Sequence, residues 1–321
     1  MSRNATAALP DYDPPASLTD ALALIARVFD VDDILADQGR DIVETYYDHS
    51  EKGYRRFHSE AGCMHLAINR DGRFAADGYY EQAREVGRQL EAVGARDCLE
   101  LGSGFGFNTL YLSRRHPNVH FTGLDLMDRH VRAARREAIG LANVAFQCGS
   151  FEQARFPTQS VDVVFGVECL CYAQDLDELH ARVAQALRPG GRYVLFDAYR
   201  REGVERRPQP MQTATRLTEI TMAVTQGFRP VADWTDAMQR AGLEVKVVED
   251  LSAAVLPTFL RMQSFAMDFF ERQWRARMAN AIYSKYLLRN TVAGLLWPYT
   301  ISGDDATLSY QMIVAEKPEQ A

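Results

Sequence analysis

Positive charge is in short supply: 36 Lys and Arg stand against 43 Asp and Glu in 321 residues, a net of −7. That balance speaks against a general phosphate-backbone binder, and no nucleic-acid partner is expected. Cysteine is scarce too. The five positions, Cys63, Cys98, Cys148, Cys169 and Cys171, are odd in number and lack zinc spacing. They fit reduced thiols in a cytoplasmic protein, and Cys169-x-Cys171 is tighter than the usual redox or metal pair. No apolar run nears the roughly 18 residues of a membrane span, and Met1 to Leu18 has no apolar targeting core. A soluble chain without a membrane span is therefore expected. No carboxylate cluster demands a metal, and no internal repeat is visible. What remains is ordinary for a globular protein, 47% hydrophobic and 25% charged, enough chain for one elaborated domain or two small ones.

Along the chain, residues 1–16 are rich in Ala, Pro and Asp and read as a disordered tail. Ser17 is placed to cap a helix whose Leu18, Ala21, Leu22, Ile25, Val28 and Phe29 share a face, and a second helix is predicted over 31–48. With the polar, aromatic stretch 50–72 and a helix over 78–94, residues 17–94 form an expected helical cap. From Arg96 strands alternate with helices: strands 97–101, 119–124, 143–147, 161–166 and 191–197, helices 106–115, 128–139 and 175–187. The alternation predicts an α/β, doubly wound, mostly parallel sheet over 95–200. It then breaks. A cap insertion is expected at 201–230, a core helix and strand at 231–255, and an aromatic helical insertion at 256–300 with its helix over 256–290. A last strand, Leu308 to Glu316, completes seven within 301–321. The N-terminal helices and the two insertions are expected to form a helical lid at the carboxyl edge of the sheet, where such folds bind ligands. The same amphipathic helices would serve equally well to pair two copies in a homo-oligomer.

The densest signal is Cys98-Leu-Glu-Leu-Gly-Ser-Gly-Phe-Gly106, an apolar strand running into a turn with Gly102, Gly104 and Gly106 at alternate positions. Glu100 precedes the turn, and the next strand ends at Asp125. Glycine lets backbone approach a ligand closely, and an acid ending the following strand suits a ribose diol. The spacing is G-x-G-x-G, distinct from the G-x-G-x-x-G of dinucleotide folds.

Together with Leu187-Arg-Pro-Gly-Gly-Arg-Tyr-Val-Leu-Phe-Asp197, this pattern resembles the class I S-adenosyl-L-methionine (SAM) dependent methyltransferases. The resemblance implies a Rossmann-like fold and SAM as cofactor. It makes Gly102, Ser103, Gly104 and Gly106 the cradle for the methionine moiety, Glu100 an orienting acid, and Asp125 the ribose ligand beside Leu126. Ser150 stands where relatives carry an acid near the adenine amine, with Phe151 placed to pack on the ring.

For the methyl acceptor, the fourth strand ends Val163-Val-Phe-Gly-Val-Glu168-Cys-Leu-Cys-Tyr172-Ala173. Glu168 at the carboxyl edge suits a general base, a ligand for a substrate hydroxyl or amine, or a structural hydrogen bond. The string resembles the segment of sterol C-methyltransferases and their small-isoprenoid relatives, and so does the progression Tyr46-Tyr47-Asp48, Tyr54, Met64-His65. That resemblance, over roughly 40–200, implies methylation of an isoprenoid alkene. A carbocation would be stabilised by aromatics drawn from Tyr46, Tyr47, Tyr54, Phe57 and Tyr172 and quenched by Glu168. Each aromatic alone reads equally as packing. His65 and His58 are candidate bases for O- or N-methyl transfer, the competing reading, or holders of a hydrogen bond. Arg200, Arg201, Arg206 and Arg207 would fit a diphosphate, with Mg2+ to assist, or form a solvated face. Trp234, Trp274 and Trp297 would line an apolar pocket or pack helices. The expected partner is a small-molecule substrate. The chain also lacks the Asn/Asp-Pro-Pro-Tyr type motif of nucleic-acid amino-methylating enzymes.

Overall fold

Five apolar strands and the glycines between them build the sheet that carries the site. In a computed structural model the described residues are 14–53, 59, 62–272 and 284–319. Strand β1 (Asp97–Leu101) lies at the centre of a seven-stranded sheet of order β3-β2-β1-β4-β5-β7-β6. The others are β2 (His120–Asp125), β3 (Val144–Cys148), β4 (Val161–Val167), β5 (Leu187–Arg200), β6 (Glu244–Asp250) and β7 (Leu308–Glu316). β1 pairs parallel with β2 and β4, β2 with β3, and β4 with β5, whereas β6 and β7 pair antiparallel. β1 and β4 read Asp-Cys-Leu-Glu-Leu and Val-Asp-Val-Val-Phe-Gly-Val because a central parallel strand is covered on both faces and needs apolar residues on each. The chain runs outward from β1 through β2 to β3, then crosses to β4 on the other side. That reversal makes the carboxyl ends of β1 and β4 the switch point, the place where open α/β sheets bind ligands. The Rossmann-like, mostly parallel sheet expected from the alternation is the one observed.

Two compact units divide the chain. One holds Tyr79–Ala198, Pro230–Asp250 and Gln311–Ala321, and so most of the sheet. Its helices are α4 (Glu81–Val93), α5 (Phe107–Arg115), α6 (Asp128–Glu137), α7 (Leu176–Ala186) and α9 (Val231–Arg240). α4 stops at Gly94, whose φ of 60° closes it with a left-handed cap.

The other unit holds Met1–Gly78, Tyr199–Arg229 and Leu251–Tyr310. Its described helices are α1 (Leu18–Val28), α2 (Val31–Leu35), α3 (Val43–Gly53), α8 (Gln209–Thr221), α10 (Ser252–Glu271) and α11 (Lys285–Ile301). Ser17 caps α1 as expected, its hydroxyl accepting the Asp20 N–H at 3.2 Å. Ala21, Ile25, Val28 and Phe29 then pack with Leu217, Ile220, Phe270, Val292, Leu295 and Leu296 into one apolar core. Phe259 stacks on Trp297 at 4.5 Å, so that tryptophan fastens α10 to α11. Two helix expectations are corrected. The helix over 31–48 is broken, because Gly39 adopts φ 75° and donates its N–H to the Thr225 carbonyl at 3.0 Å. The helix predicted over 256–290 begins earlier, at Ser252, and α11 runs on to Ile301.

Candidate functional site

Each glycine of the turn after β1 has a left-handed backbone: φ is 69° at Gly102, 52° at Gly104 and 81° at Gly106. L-residues with a Cβ pay for that region, which explains the alternation. Space adds a second reason. A Cβ on Gly102 would run into the Cys169 side chain, and one on Gly106 would lie 2.6 Å from the Phe146 ring. Glu100 is 2% exposed. Its carboxylate accepts the Thr109 N–H at 3.2 Å, the Asn108 amide at 3.1 Å and the Thr109 hydroxyl. Burial raises its pKa to about 7, with those bonds pulling the other way. Glu100 therefore ties the end of β1 to the first turn of α5.

Asp125 ends β2 and reaches back to the same turn. Oδ2 accepts the Gly104 N–H at 2.7 Å, and Oδ1 accepts the Met127 N–H at 2.9 Å with His130 Nδ1 at 3.2 Å. Ser103 donates its N–H to the Leu124 carbonyl at 2.9 Å, and its hydroxyl is buried without a hydrogen-bond partner, as is Asn108 Oδ1. Leu126 is 41% exposed beside them. After β3, Gly149 donates to the Asp125 carbonyl at 2.9 Å. The half-buried Ser150 spends its hydroxyl on the Glu152 N–H at 3.1 Å, with Phe151 half-buried next to it. The Glu152 carboxylate takes the Gln174 N–H at 2.6 Å. An acid is thus present in this loop two residues after Ser150, a shift the sequence pattern did not flag.

Glu168 follows β4 directly. Among the described residues only Gln159, Glu168 and Ala223 hold a positive φ without being glycine, and Glu168 has 51°. A left-handed non-glycine residue costs about 1–2 kcal/mol, so the surroundings must impose it. They do so from both sides. The Glu168 N–H donates to the Phe196 carbonyl of β5 at 2.7 Å, while the Cys169 thiol donates to the Leu101 carbonyl of β1 at 2.9 Å. The 3-10 turn Leu170–Tyr172 follows, carrying half-buried Tyr172. Register places Leu101 opposite Gly166, so the glycine turn and Glu168 leave adjacent strands at the switch point.

The remaining candidates divide differently. Trp234 is 2% exposed and meets the His180 ring edge-on at 5.6 Å, where α9 packs on α7. Arg200 gives Nε and Nη2 to the Glu219 carboxylate, the latter at 2.5 Å, and Glu219 is itself 2% exposed. Arg201 donates to the Leu308 carbonyl at 3.0 Å, and Arg207 pairs with Asp305 at 3.0 Å. These guanidiniums bind their own chain. In the helical unit Tyr46 is buried, donates to Asn290 Oδ1 at 2.8 Å and meets Tyr47 edge-on at 5.2 Å. Tyr47 is half-buried and His65 is buried. Tyr54, Phe57, His58 and Trp274 lie outside the described residues. The strand predicted over 191–197 stopped at Asp197, to which the sequence reading gave no role; β5 runs on to Arg200.

The residues at the switch point fit SAM. The glycine cradle is open to close backbone approach, Asp125 Oδ2 holds a single N–H and so keeps a lone pair, and the Ser103 hydroxyl is unspent. Among the described residues no group of three His, Cys, Asp or Glu could hold a metal, and no helix is long and apolar enough to cross a membrane.

Residues 98–191 match the family model for a methyltransferase domain. The chain is similar to phosphoethanolamine N-methyltransferase 1 of Arabidopsis thaliana, 26% identical over 63% of this chain and 40% of that protein. It is also similar to sterol 24-C-methyltransferase erg-4 of Neurospora crassa, 26% identical over 59% of this chain and 50% of that protein. The chain thus spans about half the length, or less, of these two curated relatives. Among solved structures it resembles geranyl diphosphate C-methyltransferase from Streptomyces coelicolor A3(2), with a TM-score of 0.59, 15% identity and coverage of 86% of this chain and 96% of that one. That likeness shows the fold. Residues 98–191 are thus a methyltransferase domain, and the sheet that carries it has the class I SAM-dependent methyltransferase fold.

Proposed function

We propose that this protein methylates a carbon of an uncharged isoprenoid-type alkene, with Glu168 as the base. The observation that carries the reading is the left-handed backbone of Glu168 at the carboxyl end of β4, next to the glycine turn. A strained backbone that presents a carboxylate at a ligand-binding edge is the pattern expected of a working group. Gly102, Ser103, Gly104 and Gly106 would hold the methionine part of SAM, Asp125 and Leu126 the ribose side, and Ser150 and Phe151 the adenine side. Bound there, SAM supplies an electrophilic methyl carried on a sulfonium. The chain must then orient the alkene and remove one proton from the cation that carbon methylation leaves on the substrate. Glu168 accepts that proton, and a new double bond forms from the released electron pair. Tyr172, on the turn that follows Glu168, is the proposed cation-facing aromatic.

The relatives include enzymes named for sterol and geranyl diphosphate C-methylation, which supports an isoprenoid acceptor. The pairing of Arg200 with Glu219 and of Arg207 with Asp305 favours a neutral acceptor over a diphosphate, and with it a reaction that needs no Mg2+. A relative named for N-methylation of phosphoethanolamine supports a second reading, transfer to nitrogen or oxygen with His65 as the proton acceptor. Both readings take a small-molecule substrate.

Mass spectrometry with methyl-deuterated SAM separates them. The panel holds sterols, neutral terpenoid alkenes, isopentenyl through geranylgeranyl diphosphates with and without Mg2+, phenols and amines. Label on a neutral alkene, lost by about 100-fold or more in Glu168→Gln, is the expected result. Label confined to phenols or amines, or full turnover in Glu168→Gln, overturns the carbon-methylation reading.

A further inference from the structure

Asp197, the last acid of β5, is 4% exposed and lies opposite the turn that carries Glu168. Its Oδ2 accepts the Cys171 N–H at 3.0 Å and its Oδ1 the Ala198 N–H at 2.8 Å. The Leu170 N–H and the Cys171 thiol also donate to it. The residue before, Phe196, supplies the carbonyl that receives the Glu168 N–H. Two consecutive residues of β5 therefore hold both ends of the segment 168–171. No side chain of that segment caps its own 3-10 turn, since Cys169 makes no capping bond. The Asp197 carboxylate does this from the neighbouring strand.

We propose that Asp197 is the positioning residue for Glu168: its carboxylate grips the start of the 170–172 turn and so fixes the backbone that presents Glu168. This rests on Glu168 being the working group. Asp197 touches no reacting atom, and its effect runs through the main chain. Without its acceptor the Leu170 and Cys171 N–H groups lose their buried partner, and the strained φ of Glu168 loses one of its restraints. Burial pushes the Asp197 pKa to about 6, with the N–H donors lowering it.

Hydrogen exchange of the full chain, followed on peptides covering 167–173, tests the clamp without any substrate. At pH 7.5, Asp197→Asn should lower protection of the Leu170 and Cys171 amides by about tenfold, because losing a buried charged acceptor costs a factor of that order. Peptides covering β2 should be unchanged. Asp197→Glu, which keeps the charge but moves the carboxylate off the turn, should show the same local loss and decides the matter if the Asn variant does not fold. On the acceptor found above, Asp197→Asn should lower kcat about 10–100-fold, as small misplacements do, with the SAM dissociation constant held within about threefold. Unchanged exchange in the folded variants overturns the clamp. Glu168→Gln inactive with Asp197→Asn fully active also overturns it. Full turnover in Glu168→Gln with a loosened turn in Asp197→Asn overturns the role assigned to Glu168 and leaves the clamp standing.

Discussion

His180 should make this protein lose stability in mild acid by an amount the structure sets. Its ring is fully buried between the edges of Tyr193 and Trp234, with centroids 5.7 and 5.6 Å away. Neither ring nitrogen makes a hydrogen bond of normal geometry. Burial lowers its pKa from 6.5 to about 4, and the Leu176 carbonyl offsets only part of that. The unfolded chain takes up the proton first, so stability is complete above pH 6.5 and falls as pH drops toward 4. A shift of about 2.5 units at about 1.4 kcal/mol each gives roughly 3 kcal/mol. Glu100 and Asp197 act in the opposite sense. Their folded pKa values are raised to about 7 and about 6, so each loses stability as pH rises and regains it on acidification. Wild-type stability alone would mix the three, and His180→Leu isolates one, because both carboxyls remain in the variant. Urea unfolding by circular dichroism at pH 7.5, 6, 5 and 4 gives the stability difference between the two proteins. The variant should gain about 3 kcal/mol on wild type between pH 7.5 and 4. At pH 7.5 it should be no less stable, since an unpaired buried polar ring is replaced by a similar apolar volume. A difference that stays constant with pH would refute the assignment of a neutral, buried His180.

Two further outcomes follow from the site and its surroundings. Asp125→Asn removes one charged acceptor from the proposed ribose position, worth about 1.5–3 kcal/mol; sinefungin or SAM affinity by calorimetry should fall about 10–100-fold. Arg200→Met leaves buried Glu219 without its guanidinium partner and should cost about 3 kcal/mol in urea unfolding. The same variant should leave any binding of geranyl diphosphate, measured by calorimetry with Mg2+ present, unchanged. A large loss of diphosphate binding there would restore the arginine loop as a substrate contact.

The alternation of strands and helices from Arg96, the G-x-G-x-G turn and the acid at Asp125 are legible in the residue order alone. Periodicity reports which faces are buried, and three left-handed φ values in five residues admit glycine at little cost. The helical segments were less legible. The break at Gly39 depends on a hydrogen bond to Thr225, and no local pattern encodes a partner 186 positions away. The same reason explains the arginines. Arg200 and Arg201 look like a phosphate site in a string of letters, because charge is visible there and pairing with Glu219 or the Leu308 carbonyl is not.

By itself, then, the sequence determined the sheet, the glycine cradle and the acids at the ends of β2 and β4, since all of these are written in local conformational cost and burial period. Only the tertiary structure decided that Glu168 is strained, that Leu101 of β1 and Asp197 of β5 meet its turn from opposite sides, and that Trp234, Arg200 and Arg201 have partners within the chain. Those facts are contacts between residues far apart in the chain, and they exist only once β1, β4 and β5 lie side by side.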